Sequence, residues 1–200
     1  MRILLLFFAC LMVGADSFAQ QLDFVVPGYY RKDTTYVFNG YRYRCIGTKG
    51  AITLYNADYQ NKLVETVQVY KDTGKYFDSD YGKNDPIINN SSMNQKVLGI
   101  INNAFTKDFV SYLKDYENLT VTLYLNSETG KVEEVSFWFL HSSAFASLPI
   151  SVYRNIEVQL INEISYTPSA IGKQLNYIFL ALMHKPLGKS SSGSEIKPSE

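Results

Sequence analysis

The side chains that could act as nucleophiles, bases or metal ligands are few and widely spaced. After residue 20 the chain has one cysteine, Cys45, and two histidines, His141 and His184. Metal sites use clustered His and Cys ligands, and no two of these three residues lie at ligand spacing. Glu133 and Glu134 are adjacent on a predicted strand, so they point to opposite faces and cannot act as a carboxylate pair. We therefore predict a protein with no catalytic residue, no metal and no cofactor.

A hydrolase with an unrecognised site is the alternative from another functional class. Its nucleophile or base would have to lie in a cleft, within hydrogen-bond reach of an acid. The residues available to such a site are Cys45, His141, His184, Asp78, Asp80, Glu133, Glu134 and Glu157.

The polar stretch over residues 71–93 has the composition of a calcium loop but not its spacing. An EF-hand loop needs oxygen ligands at positions 1, 3 and 5, glycine at position 6 and glutamate at position 12. Counted from Asp78, Asp80 falls at position 3, but Gly82 falls at position 5 and no glutamate follows where one is needed. We predict a solvated loop or linker here.

Tyrosine is unusually frequent, with 16 residues in the chain. A tyrosine ring has an apolar body and a polar tip, which suits strands that face water on one side. Exposed rings on one strand face can also stack on sugars, and the candidate binding residues are Tyr41, Tyr43, Tyr55 and Tyr70. Cys45 alternates with Tyr41 and Tyr43 on one face, which predicts a buried strand cysteine.

The periodicity of apolar residues predicts an α+β fold in two parts. Residues 20–70 alternate and predict a small antiparallel β meander, with strands over 35–38, 41–46, 51–55 and 63–70. The dipeptide Asn39-Gly40 is typical of two-residue type I′ hairpin turns. Helical spacing over 94–115 then begins an α-β-β-α-β unit that occupies residues 94–184.

The later elements of that unit are also predicted from their patterns. The strands cover residues 119–125 and 131–140, joined by a turn that ends in Gly130. A helix follows Pro149 and buries Ile150, Tyr153, Ile156, Leu160 and Ile164, and a closing strand covers residues 175–183. Residues 185–200 are too polar to bury enough surface and predict a disordered tail.

Residues 1–19 have the features of a cleavable secretory signal peptide. Arg2 supplies a positive charge, residues 3–13 are apolar, and Ser17 and Ala19 are small residues at the −3 and −1 positions of a cleavage site. The apolar run is too short for a bilayer, which takes about 20 residues. We predict cleavage near Ala19 and a periplasmic or extracellular location. An uncleaved anchor and lipidation at Cys10 are the alternatives.

Positive and negative side chains are balanced, with 19 Lys and Arg against 19 Asp and Glu. Nucleic-acid partners require a basic face that displaces counterions from phosphates. No second long apolar segment follows the signal peptide. We therefore predict no nucleic-acid partner and no integral membrane span after cleavage.

The second half of the chain resembles the C-terminal domain of TonB and its relatives over about residues 119–184. The resemblance rests on LTVTLYLN, the turn SETGKV, VEEVSFWF, the amphipathic ISVYRNIEVQLINEI, and YTPSAIGKQ before LNYIFLALM. Its marker residues are Gly130, Val132, Tyr166, Pro168 and Gly172. The Pro-rich spacer and uncleaved anchor of TonB do not match this chain, so the resemblance does not imply energy transduction. The whole layout also resembles small exported proteins of unknown function from gut Bacteroidetes.

The resemblance implies recognition by an exposed edge strand and no catalytic residues. The leading interpretation is therefore a non-enzymatic binding or accessory module of the periplasm or cell envelope. An extended protein segment would pair with the closing strand, around residues 175–182. The second interpretation is binding of a surface glycan or polymer through Tyr41, Tyr43, Tyr55 and Tyr70.

Overall fold

The computed structural model describes residues 30, 33–48, 50–78, 84–88 and 91–188. The predicted signal peptide with its cleavage and lipidation sites, and the predicted tail beyond residue 188, lie outside these residues. Within the described ranges, no helix is both long enough and apolar enough to cross a membrane.

In the described part of the chain, six antiparallel strands form one sheet, in the order β1-β2-β3-β5-β4-β6. The strands are β1 (Thr34–Phe38), β2 (Tyr41–Thr48), β3 (Ala51–Asn56), β4 (Leu119–Leu125), β5 (Val132–Leu140) and β6 (Ile178–His184). Together with the helices this confirms the predicted α+β fold class. Because β3 pairs with β5, the strands predicted for the meander and for the second unit share this sheet.

The first hairpin forms as its turn sequence predicts. Asn39 and Gly40 both have positive φ, 47° and 80°, which is the backbone of a type I′ turn. The register pairs Phe38 with Tyr41 across this turn.

The α-helices of the described residues are α1 (Ser91–Asn103), α2 (Lys107–Ser111) and α3 (Ile150–Glu163). The single helix predicted over residues 94–115 is wrong, because the chain breaks between α1 and α2. Thr106 has an extended backbone there, and its hydroxyl accepts a hydrogen bond from the Phe109 amide at 3.2 Å. It is the N-cap that begins α2.

One face of the sheet, the core face, is covered by α3, with α1 beside it. A row of facing residues runs across it through Cys45, Leu54, Phe137 and Val121, all fully buried. The predicted inner face of α3 is buried against this side: Ile150, Tyr153, Ile156, Leu160 and Ile164. The core therefore lies between α3 and the sheet.

The opposite face, the outer face, is partly covered by residues 63–78, which we call the strap. The Tyr55 hydroxyl of β3 donates to Glu65 of the strap at 2.6 Å. The Tyr177 hydroxyl, just before β6, donates to the Thr66 carbonyl at 3.0 Å. The strap therefore covers one end of the outer face and leaves the other end open.

The strand predicted over residues 63–70 is wrong. The strap begins with a 3-10 turn, Leu63–Glu65, and then makes two isolated bridges, Val69 with Tyr76 and Tyr70 with Leu175. The Leu63 amide donates to the Glu134 carboxylate at 2.7 Å, so it is not available to a neighbouring strand.

Candidate functional site

The candidate enzyme residues that the structure describes lie at separate places in the fold. Cys45 is fully buried, as predicted, and burial raises the pKa of its thiol to about 11, which disfavours the reactive thiolate. His141 is exposed in the turn after β5, and His184 is half-buried at the end of β6. Asp78 is exposed, and Asp80 lies outside the described residues. Among the described side chains, no group of three or more His, Cys, Asp and Glu is placed to hold a metal ion.

Glu157 of α3 is a fully buried carboxylate on the core face. It accepts hydrogen bonds from the Tyr43 hydroxyl, from Asn56 Nδ2 at 3.0 Å and from the Tyr59 hydroxyl at 2.6 Å. The guanidinium of Arg154, one turn earlier on α3, lies 2.9 Å from the same carboxylate. Four donors from β2, the end of β3, the following loop and α3 therefore converge on one side chain.

The phenols around Glu157 are donors rather than bases. Burial, and then the negative charge of Glu157, raise the pKa of the Tyr43 hydroxyl well above its ordinary value. The same two causes raise the pKa of Tyr59, whose oxygen also accepts the Val135 amide at 3.1 Å. Both hydroxyls stay protonated at physiological pH. We interpret this group, the Glu157 cluster, as a clamp between α3 and the sheet.

A second buried carboxylate, Glu134 of β5, lies on the outer face under the strap and is only 2% exposed. Its Oε2 accepts the amides of Leu63 at 2.7 Å and Val64 at 3.4 Å. Its Oε1 has no hydrogen-bond partner among the described residues. Burial raises the pKa of this carboxyl, and the nearby charge of Glu133 adds to the effect. The two amides on Oε2 lower the pKa, but burial has the larger effect, so the pKa of Glu134 is raised overall.

Replacing Glu134 with glutamine should change how stability depends on pH. The folded pKa is raised above the unfolded value of about 4.3. The stabilising contribution of the protonated group is therefore present below that unfolded value and is lost as pH rises through the folded pKa. Glutamine does not ionise. In urea titrations, we expect the free energy of unfolding of Glu134→Gln, relative to the unaltered protein, to increase as pH rises above about 4 and to level off above the folded pKa.

Glu128→Gln is the control for that experiment, because the pKa of Glu128 is shifted in the opposite direction. Glu128 is exposed, and its contact with Lys71 lowers the pKa of the carboxyl. Its contribution is present at higher pH and lost as pH falls, and solvent screening keeps it small. A Glu134→Gln difference that is flat with pH, or that follows the Glu128→Gln trend, would contradict the assignment.

The prediction of glycan binding is wrong for two of the four tyrosines, which have structural roles instead. Tyr43 and Tyr55 are buried, and they lie on opposite faces of the sheet. The Tyr43 hydroxyl contacts Glu157 on the core face, whereas the Tyr55 hydroxyl contacts Glu65 on the outer face. Their rings therefore cannot share one stacking surface.

The other two tyrosines are more accessible, but one lies on β2 and the other in the strap. Tyr41 is 41% exposed, and the Arg154 guanidinium lies 3.9 Å from its ring centroid. Tyr70 is half-buried in the strap and packs edge-to-face on Phe77, with ring centroids 5.7 Å apart. Each ring therefore already contacts another side chain, Arg154 for Tyr41 and Phe77 for Tyr70.

The marker residues of the TonB resemblance meet at the corner that leads into β6. The Tyr166 amide donates to the Gly130 carbonyl at 3.0 Å, and Pro168 forms a bridge with Ile87. A Cβ on Gly172 would lie 2.0 Å from the Pro86 carbonyl oxygen, so only glycine fits there. Val132 is buried in the core. These residues position the closing strand and expose no reactive group.

β6 ends the sheet, and within the described part of the chain it pairs only with β4. Both of its ends are held in place. Before the strand, Leu175 bridges to Tyr70 of the strap. After it, Asn102 Oδ1 accepts the Leu187 amide at 2.9 Å and lies 2.8 Å from His184 Nε2. The backbone between these anchors is an edge with fixed ends.

The side chains of β6 on the outer face are apolar and exposed. Phe179 is 45% and Met183 is 69% exposed, and Ala181 lies between them. Trp138 of β5, 38% exposed, lies in the same row as Met183, since both pair with Thr120 of β4. We call Trp138, Phe179, Ala181 and Met183 the edge surface.

The TonB resemblance pointed to the closing strand, around residues 175–182, as the candidate edge, but sequence reasoning did not select Trp138 or Met183. A run of apolar residues on both faces, as in residues 178–183, predicts a strand covered on both sides. That signal is present in the sequence, but it does not reveal that the strand lies at an edge. The strand order, which is a long-range property, makes the same residues exposed.

Comparison with known proteins identifies a family and a similar solved structure. The family described as Domain of unknown function (DUF5043) matches residues 27–182. The crystal structure of a DUF5043 family protein from Bacteroides uniformis ATCC 8492 is similar, with 40% identity and a TM-score of 0.74, over 80% of this chain and 95% of that one. No curated protein matches. Neither finding concerns a TonB-type domain, whereas the Bacteroides relative agrees with the predicted resemblance to Bacteroidetes proteins.

Proposed function

Because the chain belongs to the DUF5043 family, whose description names no activity, we propose a function from its geometry: a non-enzymatic binding module of the cell envelope that captures an extended segment along the outer edge of β6. The observation that carries the proposal is the combination of an edge position with a strand that is apolar from Ile178 to Met183. The TonB resemblance implies the same mode of recognition. The export signal read from residues 1–19 supports the envelope location.

Edge strands of natural proteins are protected against pairing with other chains. Charged side chains, proline, bulges and short length are the usual protections. Between Ile178 and Met183, β6 has none of the first two, and its pairing with β4 runs without interruption at every position. β1, at the other end of the sheet, is shorter and has polar Thr34 and Thr35. β6 therefore resembles an internal strand whose second neighbour is missing.

Addition of a strand to β6 supplies both affinity and selectivity. Alternate residues of an edge strand direct their N–H and C=O groups outward, where an incoming backbone can pair with them. On the outer face the added strand meets Phe179, Ala181 and Met183. On the core face it meets the half-buried Leu180 and Leu182. We therefore expect the bound segment to be apolar on both faces.

The fixed ends of β6 reduce the entropy lost on binding. Asn102 holds the end of the strand, and the bridge from Leu175 to the strap holds its beginning. A binding edge that is ordered before its ligand arrives loses less conformational freedom in the complex.

The proposal predicts which substitutions weaken binding of a strand-forming peptide. We would select peptides from a displayed library of random twelve-residue sequences and measure their binding by fluorescence anisotropy. Phe179→Lys combined with Met183→Lys should weaken binding at least about tenfold, because burial of one such side chain is worth about 1.5–3 kcal/mol. Both positions are exposed, so the folded state should tolerate lysine.

Val37→Lys, on the other edge strand, is the matched control. Val37 is 53% exposed, and its substitution should leave peptide binding unchanged. Amide hydrogen exchange on addition of peptide should show new protection in β6. A library that yields no binder, binding that survives the β6 substitutions, or protection confined to β1 would each overturn the proposal.

A further inference from the structure

We infer that the extended segment captured by β6 is β6 of a second copy of this chain, paired antiparallel about a two-fold axis at Ala181. The inference rests on the proposed function and names the occupant of the same edge. The pairing would join two six-stranded sheets into one continuous sheet.

The residue order of β6 is complementary to itself in this arrangement. A two-fold axis at Ala181 makes that residue face its own copy, and an isologous interface repeats every other contact twice. Phe179 then faces Met183 of the second copy, and Leu180 faces Leu182 of the second copy. Shifting the register by one residue would bring the outer-face side chains opposite the core-face ones, because strand side chains alternate.

The chemistry of the Phe179–Met183 and Leu180–Leu182 pairs is favourable. On the outer face, methionine sulfur and an aromatic ring make a favourable contact, and it occurs twice. The small Ala181 side chain between the two pairs lets Phe179 and Met183 approach without a clash. On the core face, Leu180 and Leu182 extend the apolar core across the junction, since both are only half-buried in one copy.

The electrostatics also favour identical strands. Residues 178–183 carry no charge, so two copies bring no like charges together. The first cation after the strand, Lys185, is already paired with Asp115 at 3.1 Å. A charged foreign segment would have to bury its charges against the edge surface, which costs free energy unless they are paired.

A single pair of strands makes a small interface. β6 offers seven residues on each side, whereas a standard stable interface uses about 20–30 residues on each side. We therefore expect association that depends on protein concentration. A covalent trap at the two-fold axis is the sharpest test, because it reports the register as well as the association.

The test introduces one cysteine at a time into a Cys10→Ser background. Directly facing residues of an antiparallel pair have Cα atoms about 4.5–5.5 Å apart, within the span of a disulfide. Ala181→Cys should therefore give a disulfide-linked dimer as the main product under mild oxidation. Met183→Cys and Phe179→Cys should each give little dimer alone, but an equimolar mixture of the two should give the mixed dimer.

Two controls measure how much disulfide-linked dimer forms by random collision. They are Val37→Cys and the background protein, which keeps the buried Cys45. Sedimentation of the unaltered protein should show dimers at high concentration, and the combined Phe179→Lys and Met183→Lys variant should stay monomeric. The inference is overturned if Ala181→Cys forms no more dimer than Val37→Cys, or if Met183→Cys alone dimerises as readily. If that happens while selected peptides still protect β6 amides, strand capture stands and only the identity of the captured segment is wrong.

Discussion

Replacing Glu157 with alanine is expected to lower the free energy of unfolding by about 3–5 kcal/mol, the range for breaking a buried ion pair by removing one partner. The substitution leaves the Arg154 guanidinium without its counterion and the hydroxyls of Tyr43 and Tyr59 without their acceptor. Asn56 loses the same acceptor. Buried donors without partners are destabilising, and here several are created by one substitution.

Urea unfolding at neutral pH measures this loss, and two variants show its origin. Glu157→Gln keeps the shape and one acceptor oxygen, so its effect should be clearly smaller. Glu163→Ala, at the end of the same helix, removes a solvent-exposed pair with Lys96 and should change stability by no more than about 0.5 kcal/mol. Equal losses for the alanine variants at 157 and 163 would show that the clamp contributes nothing beyond helix propensity.

The periodicity of α3 predicted which helix face is buried but not the Glu157 cluster. Periodicity counts apolar positions, and the five predicted residues from Ile150 to Ile164 are buried. Glu157 follows Ile156 on that face, and a carboxylate at such a position is indistinguishable in sequence from one at the rim. Its partners Tyr43, Asn56 and Tyr59 are about a hundred residues away in the chain, so no local pattern connects them.

The strap shows how alternation can mislead. Leu63, Val67 and Val69 are spaced as in a strand, yet the strap begins with a 3-10 turn and crosses the outer face. The residue that redirects it is Glu134, whose carboxylate accepts the amide of Leu63. That interaction exists only once β5 has formed, so it depends on tertiary structure rather than on local propensity.

The closing strand was predicted from its pattern, whereas its role as a candidate edge was predicted only from the TonB resemblance. The pattern predicted a strand over residues 175–183, and the structure has β6 at Ile178–His184, with Leu175 in a bridge to the strap. Its position at the edge follows from the order of six strands, in which β6 pairs with β4 rather than with β5. Only that order makes Phe179 and Met183 exposed beside Trp138.

Gly130→Ala is the second substitution with a large expected effect. Gly130 closes the turn between β4 and β5 with φ of 70°, where an L-residue is strained by about 1–2 kcal/mol. A Cβ would also lie 1.7 Å from the Tyr166 carbonyl oxygen, which is backbone and cannot rotate away. Forced movement in a packed region adds about 1–3 kcal/mol. We expect a total loss of about 2–5 kcal/mol in the free energy of unfolding.

Gly74→Ala separates backbone strain from the steric clash, because Gly74 has a positive φ but no atom near its missing Cβ. Gly74 has φ of 66°, and its amide donates to a carbonyl four residues earlier, as does that of Gly130, but a Cβ there meets nothing within 4 Å. Its substitution should cost only the backbone strain of about 1–2 kcal/mol. Similar losses at the two glycines in urea unfolding would mean that the Tyr166 segment moves freely. The corner before β6 would then not be fixed, and the entropic advantage argued for a pre-ordered edge would be lost with it.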